Sequence, residues 1–319
     1  EDGIFRRTEE GAKTYQNASE NEKIELDKII NYVDDYNNGN NKEEENKPIE
    51  STLGLVTGDE KTNTKVNDKY GNKVVVPAGF KILNTEDDVT KGIVIQDVQA
   101  KNSVSIGNEF VWIPIGKIYT DNNGTYKEIE LGRYSFDIRN VEGGYTGTGK
   151  STLVQPASEY ADESDKYIIN MDSNSYKELS NSSYGNSSAK NLKNFIEGTL
   201  NNGGFYIARY EAGKIDEDLN DCVSKRGENA YVDVTQVQSS TISQNMYNKG
   251  IYESDLINSY AYDTVFEYIQ TFSGDADYSM QNRFQDTMAT TGNANNSGEC
   301  DVRCNIFDLA SNMAEWTTE

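Results

Sequence analysis

Gly203-Gly204-Phe205-Tyr206-Ile207-Ala208-Arg209-Tyr210 reads as a β-like run, and just before it the residues from Ala189 to Leu200 carry helical patterning. Working upstream, the chain has further short β-type runs at Lys73-Val74-Val75-Val76-Pro77, Gly92-Ile93-Val94-Ile95-Gln96, Glu109-Phe110-Val111-Trp112-Ile113-Pro114 and from Tyr126 to Leu131. Tyr70-Gly71-Asn72 and Asn122-Asn123-Gly124 lie between them as hairpin signals. Downstream, Leu256, Tyr260, Val265, Tyr268 and Ile269 repeat at near-helical spacing and predict a helix from about Asp255 to Thr271. This order of elements argues for an α+β fold and against a doubly wound sheet.

Toward the N-terminus the texture changes. From Thr8 to about Tyr36 most residues are good helix formers, with Leu26, Ile29, Ile30, Val33 and Tyr36 on one face. That stripe suits either a helix packed on its own domain or a projecting stalk or assembly helix. The Asn37 to Lys47 stretch has no apolar residue and a charge run, as expected of a solvated linker. The expected organisation is therefore an amphipathic helix at 1–37, a flexible acidic, Asn-rich linker at 38–50 and a β-rich domain at 51–319. Within that domain, residues 142–188 are rich in Ser, Asn, Gly and Tyr and read as a polar surface insertion.

Composition narrows the function. Against 53 acidic residues stand 30 basic ones, a net charge of −23 that repels phosphate backbones and anionic lipid, so nucleic acid is not an expected partner. The 319 residues include no histidine, which excludes His triads, His general bases and His metal sites from this sequence. Cys222, Cys300 and Cys304 make neither a disulfide framework nor a zinc site of two close pairs. No apolar run approaches the ~20 residues of a membrane span. Because the sequence opens on Glu1 and stops abruptly behind an ordered-looking motif, further segments are expected at both ends, and membrane contact only through one preceding Glu1.

Several motifs match in letter only. Gly144-Tyr145-Thr146-Gly147-Thr148-Gly149-Lys150-Ser151 fits the phosphate-loop pattern, but no buried apolar strand precedes it and Gln155-Pro156 would end any helix at once, so no nucleotide is expected. Asp216, Asp218 and Asn220 start like a calcium loop, yet Asp221 and Gly227 stand where Gly and Glu are needed, leaving a solvated acidic turn. Cys300 and Cys304 bracket three residues, and the acids flanking them would raise a thiol pKa. Carboxylates are too abundant for any one pair to suggest a glycosidase.

Three blocks in register carry a resemblance. Phe110 to Pro114, Gly203 to Glu211, and Asn305-Ile306-Phe307-Asp308-Leu309-Ala310-Ser311-Asn312-Met313-Ala314-Glu315-Trp316-Thr317 are similar in order and spacing to the formylglycine-generating-enzyme (sulfatase-modifying factor) family. The resemblance spans roughly Val74 to Glu319 and implies a C-type-lectin-like α+β fold whose long loops present a binding surface. Trp112, Phe205, Tyr206 and Trp316 fall in these blocks as aromatic anchors, alongside Gly204 and Asn312. Arg209, with Glu211 or the acids near Trp316, is expected to form a buried ion pair. The resemblance also implies a possible Ca2+ site from the side chains of Asp308 and Glu315 and the carbonyls of Ser311 and Met313; the alternative is that the two carboxylates cap local backbone groups.

Ala314 departs from the family, many of whose members carry tryptophan there. The family's copper-binding cysteine pair and an Arg-Gly-Gly stretch belong beyond the tryptophan block. The N-terminal Asp2-Gly3-Ile4-Phe5-Arg6-Arg7 is similar to the segment following the hydrophobic stretch of prepilin-like proteins of Gram-positive bacteria. Together these imply an extracellular, surface-anchored or pilin-like bacterial protein with a non-catalytic domain, meeting a protein or glycan surface ligand or other pilin subunits. A formylglycine-generating copper oxidase acting on sulfatases and a purely structural pilus subunit are the alternatives.

Overall fold

Two buried faces on one small sheet organise the domain. The chain divides into two units, Glu1–Lys47 and Pro48–Glu319. The computed structural model describes residues within the second: 50–83, 86–99, 105–142, 144–159, 192–215, 221–247, 252–280, 290–294, 298, 300–312 and 315–317. The expected N-terminal helix and its linker, most of the polar insertion, the Asp216 to Asn220 turn, Met313 and Ala314 lie outside the described residues.

The described elements run in the order β1 (Thr64–Asn67), β2 (Lys73–Val76), β3 (Phe80–Ile82), β4 (Ile93–Asp97), β5 (Glu109–Pro114), β6 (Gly116–Tyr119), β7 (Tyr126–Ile129), β8 (Gly132–Val141) and β9 (Gly144–Pro156). They continue with α1 (Leu192–Asn202), β10 (Gly204–Ala208), β11 (Gly213–Lys214), β12 (Cys222–Val223), β13 (Asn229–Ala230), α2 (Gln236–Met246), α3 (Ser259–Phe272), β14 (Val302–Arg303) and β15 (Ile306–Phe307). The result is a mixed α+β domain of small antiparallel sheets.

The four-stranded sheet, ordered β10-β5-β4-β3, is antiparallel throughout. Because side chains alternate across a strand, Val94, Val111, Ile113 and Phe205 enter one core, while Ile93, Ile95, Trp112 and Phe80 enter another. The first core is closed by α1 through Leu192 and Ile196 and by α3 through Val265, Tyr268 and Ile269. The second is closed by β1 and β2 and by Ile118 and Ile129 of the β6–β7 hairpin. Burial on both faces explains why β4 and β5 read as unbroken apolar runs.

Both hairpin signals form turns, and each is fastened by one aspartate. Asp68, fully buried, accepts from the amides of Tyr70, Asn72 and Val89 and from Asn72 Nδ2, all at 2.9–3.0 Å. Asp121 accepts from the amides of Asn123 and Thr125. Four N–H donors around a buried carboxylate offset the cost of taking it from water.

The polar stretch from residue 142 begins with a strand: β9 pairs with β8 as a long irregular hairpin. The Gly-Lys-Ser segment therefore lies along a strand rather than in a loop that opens a helix, with Thr148 accepting from the Lys150 amide and donating to Asp137. At Gly147 (φ 139°) a Cβ would lie 2.0 Å from the Asp137 carbonyl oxygen, so this irregular crossing requires glycine.

Candidate functional site

The first two sequence blocks are strand neighbours. Tyr206 lies directly across from Trp112 in the β10–β5 pairing, their ring centroids 5.0 Å apart, and its hydroxyl donates to the Val75 carbonyl at 3.0 Å. Gly204 sits over the indole: a Cβ there would come 2.4 Å from Trp112 Cζ2 and 2.5 Å from the Ile113 carbonyl oxygen. Backbone approach this close requires glycine.

The third block is tied to the second through Arg209. Its carbonyl accepts from the Phe307 amide at 3.0 Å, its Nε donates to the Asn305 carbonyl at 3.2 Å, and its Nη1 meets Glu109 Oε2 at 2.6 Å. The carboxylate paired with Arg209 is thus Glu109, immediately before the first block, and not Glu211 or the acids near Trp316. Strand alternation explains the correction, since Arg209 follows β10 at the point where Glu109 begins β5. Asn305 Nδ2 also donates to the carbonyls of Lys91 and Gly92, fixing this block against the start of β4.

Glu211 instead accepts from Asn312 Nδ2. Trp316 Nε1 donates to the Val234 carbonyl at 2.9 Å, and Gln236 Nε2 to the Thr317 carbonyl at 2.8 Å. These bonds bring the end of the third block to the start of α2, where Thr235 and Gln238 form a reciprocal capping box. Asp308 is buried at φ 62° and accepts from the Gly292 amide at 3.0 Å and the Ser311 hydroxyl at 3.5 Å. That is the geometry of a local cap. With Met313 outside the described residues, the four-ligand calcium set is not assembled within them, and among the described residues no group of three or more Cys, Asp or Glu is arranged to hold a metal. Burial, with Asp301 nearby, raises the Asp308 carboxyl against the pull of its hydrogen bonds.

All three blocks reach one cavity of about 470 Å³. The first contributes Phe110, the second Phe205 to Ala208 with Tyr210 and Glu211, and the third Ile306, Phe307, Leu309, Glu315 and Trp316. The opposing wall is α2, through Ser239, Ile242 and Met246, and the segment from Tyr252 to Asn258. Phe80, Phe110, Tyr247 and Tyr252 line it as an interlocked aromatic group with centroids 5.4–6.0 Å apart. Tyr247 is held in place by donating to the buried Asp97 at 2.8 Å.

Among the described residues, the charged ones lining the cavity are Glu211, Glu253, Asp255 and Glu315, with neither lysine nor arginine. Glu315 is exposed at the surface and also lines the cavity. Desolvation first, then Glu211 and Asp308, push its carboxyl up to about 8. Cys222 also lines the cavity, its thiol raised far above the usual range by burial and by Asp221. Cys304 is raised to about 11 and Cys300 is raised as well, in both cases mainly by burial. None of the three is in a disulfide.

The sequence expectation missed α2 and with it part of the cavity wall. The Thr235-x-x-Gln238 capping box was the available signal. The described residues define an α+β domain with an internal, acid-lined cavity. No family model, curated protein or solved structure matches the chain.

Proposed function

We propose that this chain is a non-catalytic ligand-binding protein displayed on the outside of a bacterial cell. In this reading its α+β domain is of the C-type-lectin-like, formylglycine-generating-enzyme-like kind and takes its ligand in the cavity between β10, α2 and the third block. The observation that carries the reading is convergence: three blocks far apart in sequence meet around one roomy, mainly apolar cavity. Concave apolar sites with a few placed polar groups are the usual form of small-ligand sites. The thiols favour binding over chemistry, because burial keeps them protonated at neutral pH and the chain has no histidine to activate them. The prepilin-like Asp2 to Arg7 segment supports display outside the cell.

Titration with Nile red, an uncharged apolar fluorophore, tests the binding reading. Saturable one-to-one binding is expected, weakened at least about tenfold by Ser239→Trp, which fills the cavity from α2. Emission that never saturates, or binding unaffected by a folded Ser239→Trp variant, overturns it. Protease treatment of intact cells carrying the full gene is expected to shave the domain off; its full protection overturns the display part.

A further inference from the structure

We infer that the cavity selects a small organic ammonium, a cation carried on an alkyl or aryl body. The inference rests on the binding reading above and deepens it. The apolar wall of the cavity supplies the affinity for the body, since each area of apolar surface withdrawn from water is favourable whatever the ligand's charge. Charge then decides which apolar ligand is accepted. Glu211, Glu253, Asp255 and Glu315 all line the space, and among the described residues no lysine or arginine does, so an anionic head is repelled there. A cationic head meets carboxylates and also the faces of Tyr206, Tyr247, Tyr252 and Trp316, whose ring quadrupoles attract cations.

The carboxylates are also unequally committed. Asp255 Oδ1 already accepts from the Leu256 amide and Gln244 Nε2, and Glu211 accepts from Asn312. Glu315 is different. The charges facing it are the carboxyl groups of Glu211 and Asp308, with the neutral Tyr262 phenol nearby. An ammonium seated against it draws on the negative potential of all three carboxyl groups. The chain's net charge of −23 further raises the local concentration of cations around the opening.

Isothermal titration of the whole chain with phenylbutylamine, phenylbutanol and phenylbutyrate provides the test. The amine is expected to bind at least about tenfold tighter than the alcohol, with the carboxylate weakest. Glu315→Gln, checked for an unchanged melting curve, is expected to bring the amine's affinity close to the alcohol's. If the alcohol binds as tightly as the amine, or the carboxylate binds tightest, the ammonium inference falls and the binding reading stands. If none of the three binds, both fall. Should Glu315→Gln fail to fold, the amine-to-alcohol and amine-to-carboxylate affinity ratios of the native chain decide alone.

Discussion

Tyr206 and Trp112 face each other across β10 and β5, inclined at 58° with centroids 5.0 Å apart, and Tyr206 reaches past the indole to donate to the Val75 carbonyl of β2. One side chain thus joins the central sheet to the β1–β2 hairpin that covers it. Trp112→Ala is expected to destabilise by about 3–5 kcal/mol through the cavity it leaves. Tyr206→Phe keeps the packing and strands one carbonyl, at a cost of about 1 kcal/mol. Urea unfolding followed by far-UV circular dichroism separates the two.

Two glycines with nearly the same φ should respond very differently. Gly92 (φ 82°) would place a Cβ 1.9 Å from the Cys304 carbonyl oxygen, whereas Gly116 (φ 84°) would place one in open space. Gly116→Ala carries only the left-handed strain of about 1–2 kcal/mol. Gly92→Ala adds a collision between backbones that cannot rotate away, and a loss above about 4 kcal/mol is expected. Equal melting temperatures for the two variants would contradict the close approach.

Arg209 and Glu109, with side chains only 20% and 16% exposed, form a pair whose halves do not tolerate separation. Arg209→Met leaves Glu109 with only the neutral donors Gln96 Nε2 at 3.1 Å and the Tyr210 hydroxyl at 3.4 Å and frees the Asn305 carbonyl, an expected cost of about 3 kcal/mol. Glu109→Gln retains an acceptor and should cost less than half as much, as chemical denaturation of the two variants would show.

The pH dependence of stability should slope downward toward alkali. Burial raises the carboxyls of Asp68, Asp97 and Asp308, and Glu315 is pushed from 4.5 to about 8. Groups raised in the folded state bind protons more tightly there than in the unfolded chain. Their contribution is complete below the unfolded pKa and is lost as pH climbs through the folded one. The urea midpoint is therefore expected to fall between about pH 5 and pH 8, and Glu315→Gln to flatten that slope. A midpoint that rises over this range contradicts the assignment. The lowered carboxyls of Glu60, Asp121 and Asp137 act with opposite sign, but only below the ordinary carboxylate range.

Thiol labelling offers an independent check on the interior. With all three cysteines raised, Cys304 to about 11, alkylation by iodoacetamide at neutral pH should be slow in the native chain and rapid after unfolding. Fast native labelling of Cys222 would mean that the cavity wall opens readily.

The strands at Ile93–Asp97 and Glu109–Pro114 were legible because burial on both faces writes itself as unbroken apolar runs, and α1 and α3 because Ile196 or Tyr268 recur at a helical period. The helix expected from Asp255 begins instead at Ser259, since Asn258 caps it by accepting from the Ala261 amide. Among the elements that escaped, α2 and β9 share a reason: little in their own residues demands them. In α2, Val237, Ile242 and Met246 are the only aliphatic positions, and β9 is built from Gly, Ser and Thr whose conformation comes from pairing with β8. The same holds for the site. That Arg209 pairs with Glu109, 100 positions earlier, is a property of strand register rather than of either residue's neighbourhood. The cavity depends on such registers at every wall.

Asn305 donates to the Gly92 carbonyl across 213 positions of chain. A ribosome must therefore deliver nearly the whole domain before β4 meets its last neighbour, and β5 must wait through the β6–β9 hairpins and α1 for β10. During synthesis the half-built sheet presents an apolar edge with no partner, the condition under which nascent chains most need a chaperone. Slower emergence of residues 110–204 should cost soluble yield far more than any surface substitution does.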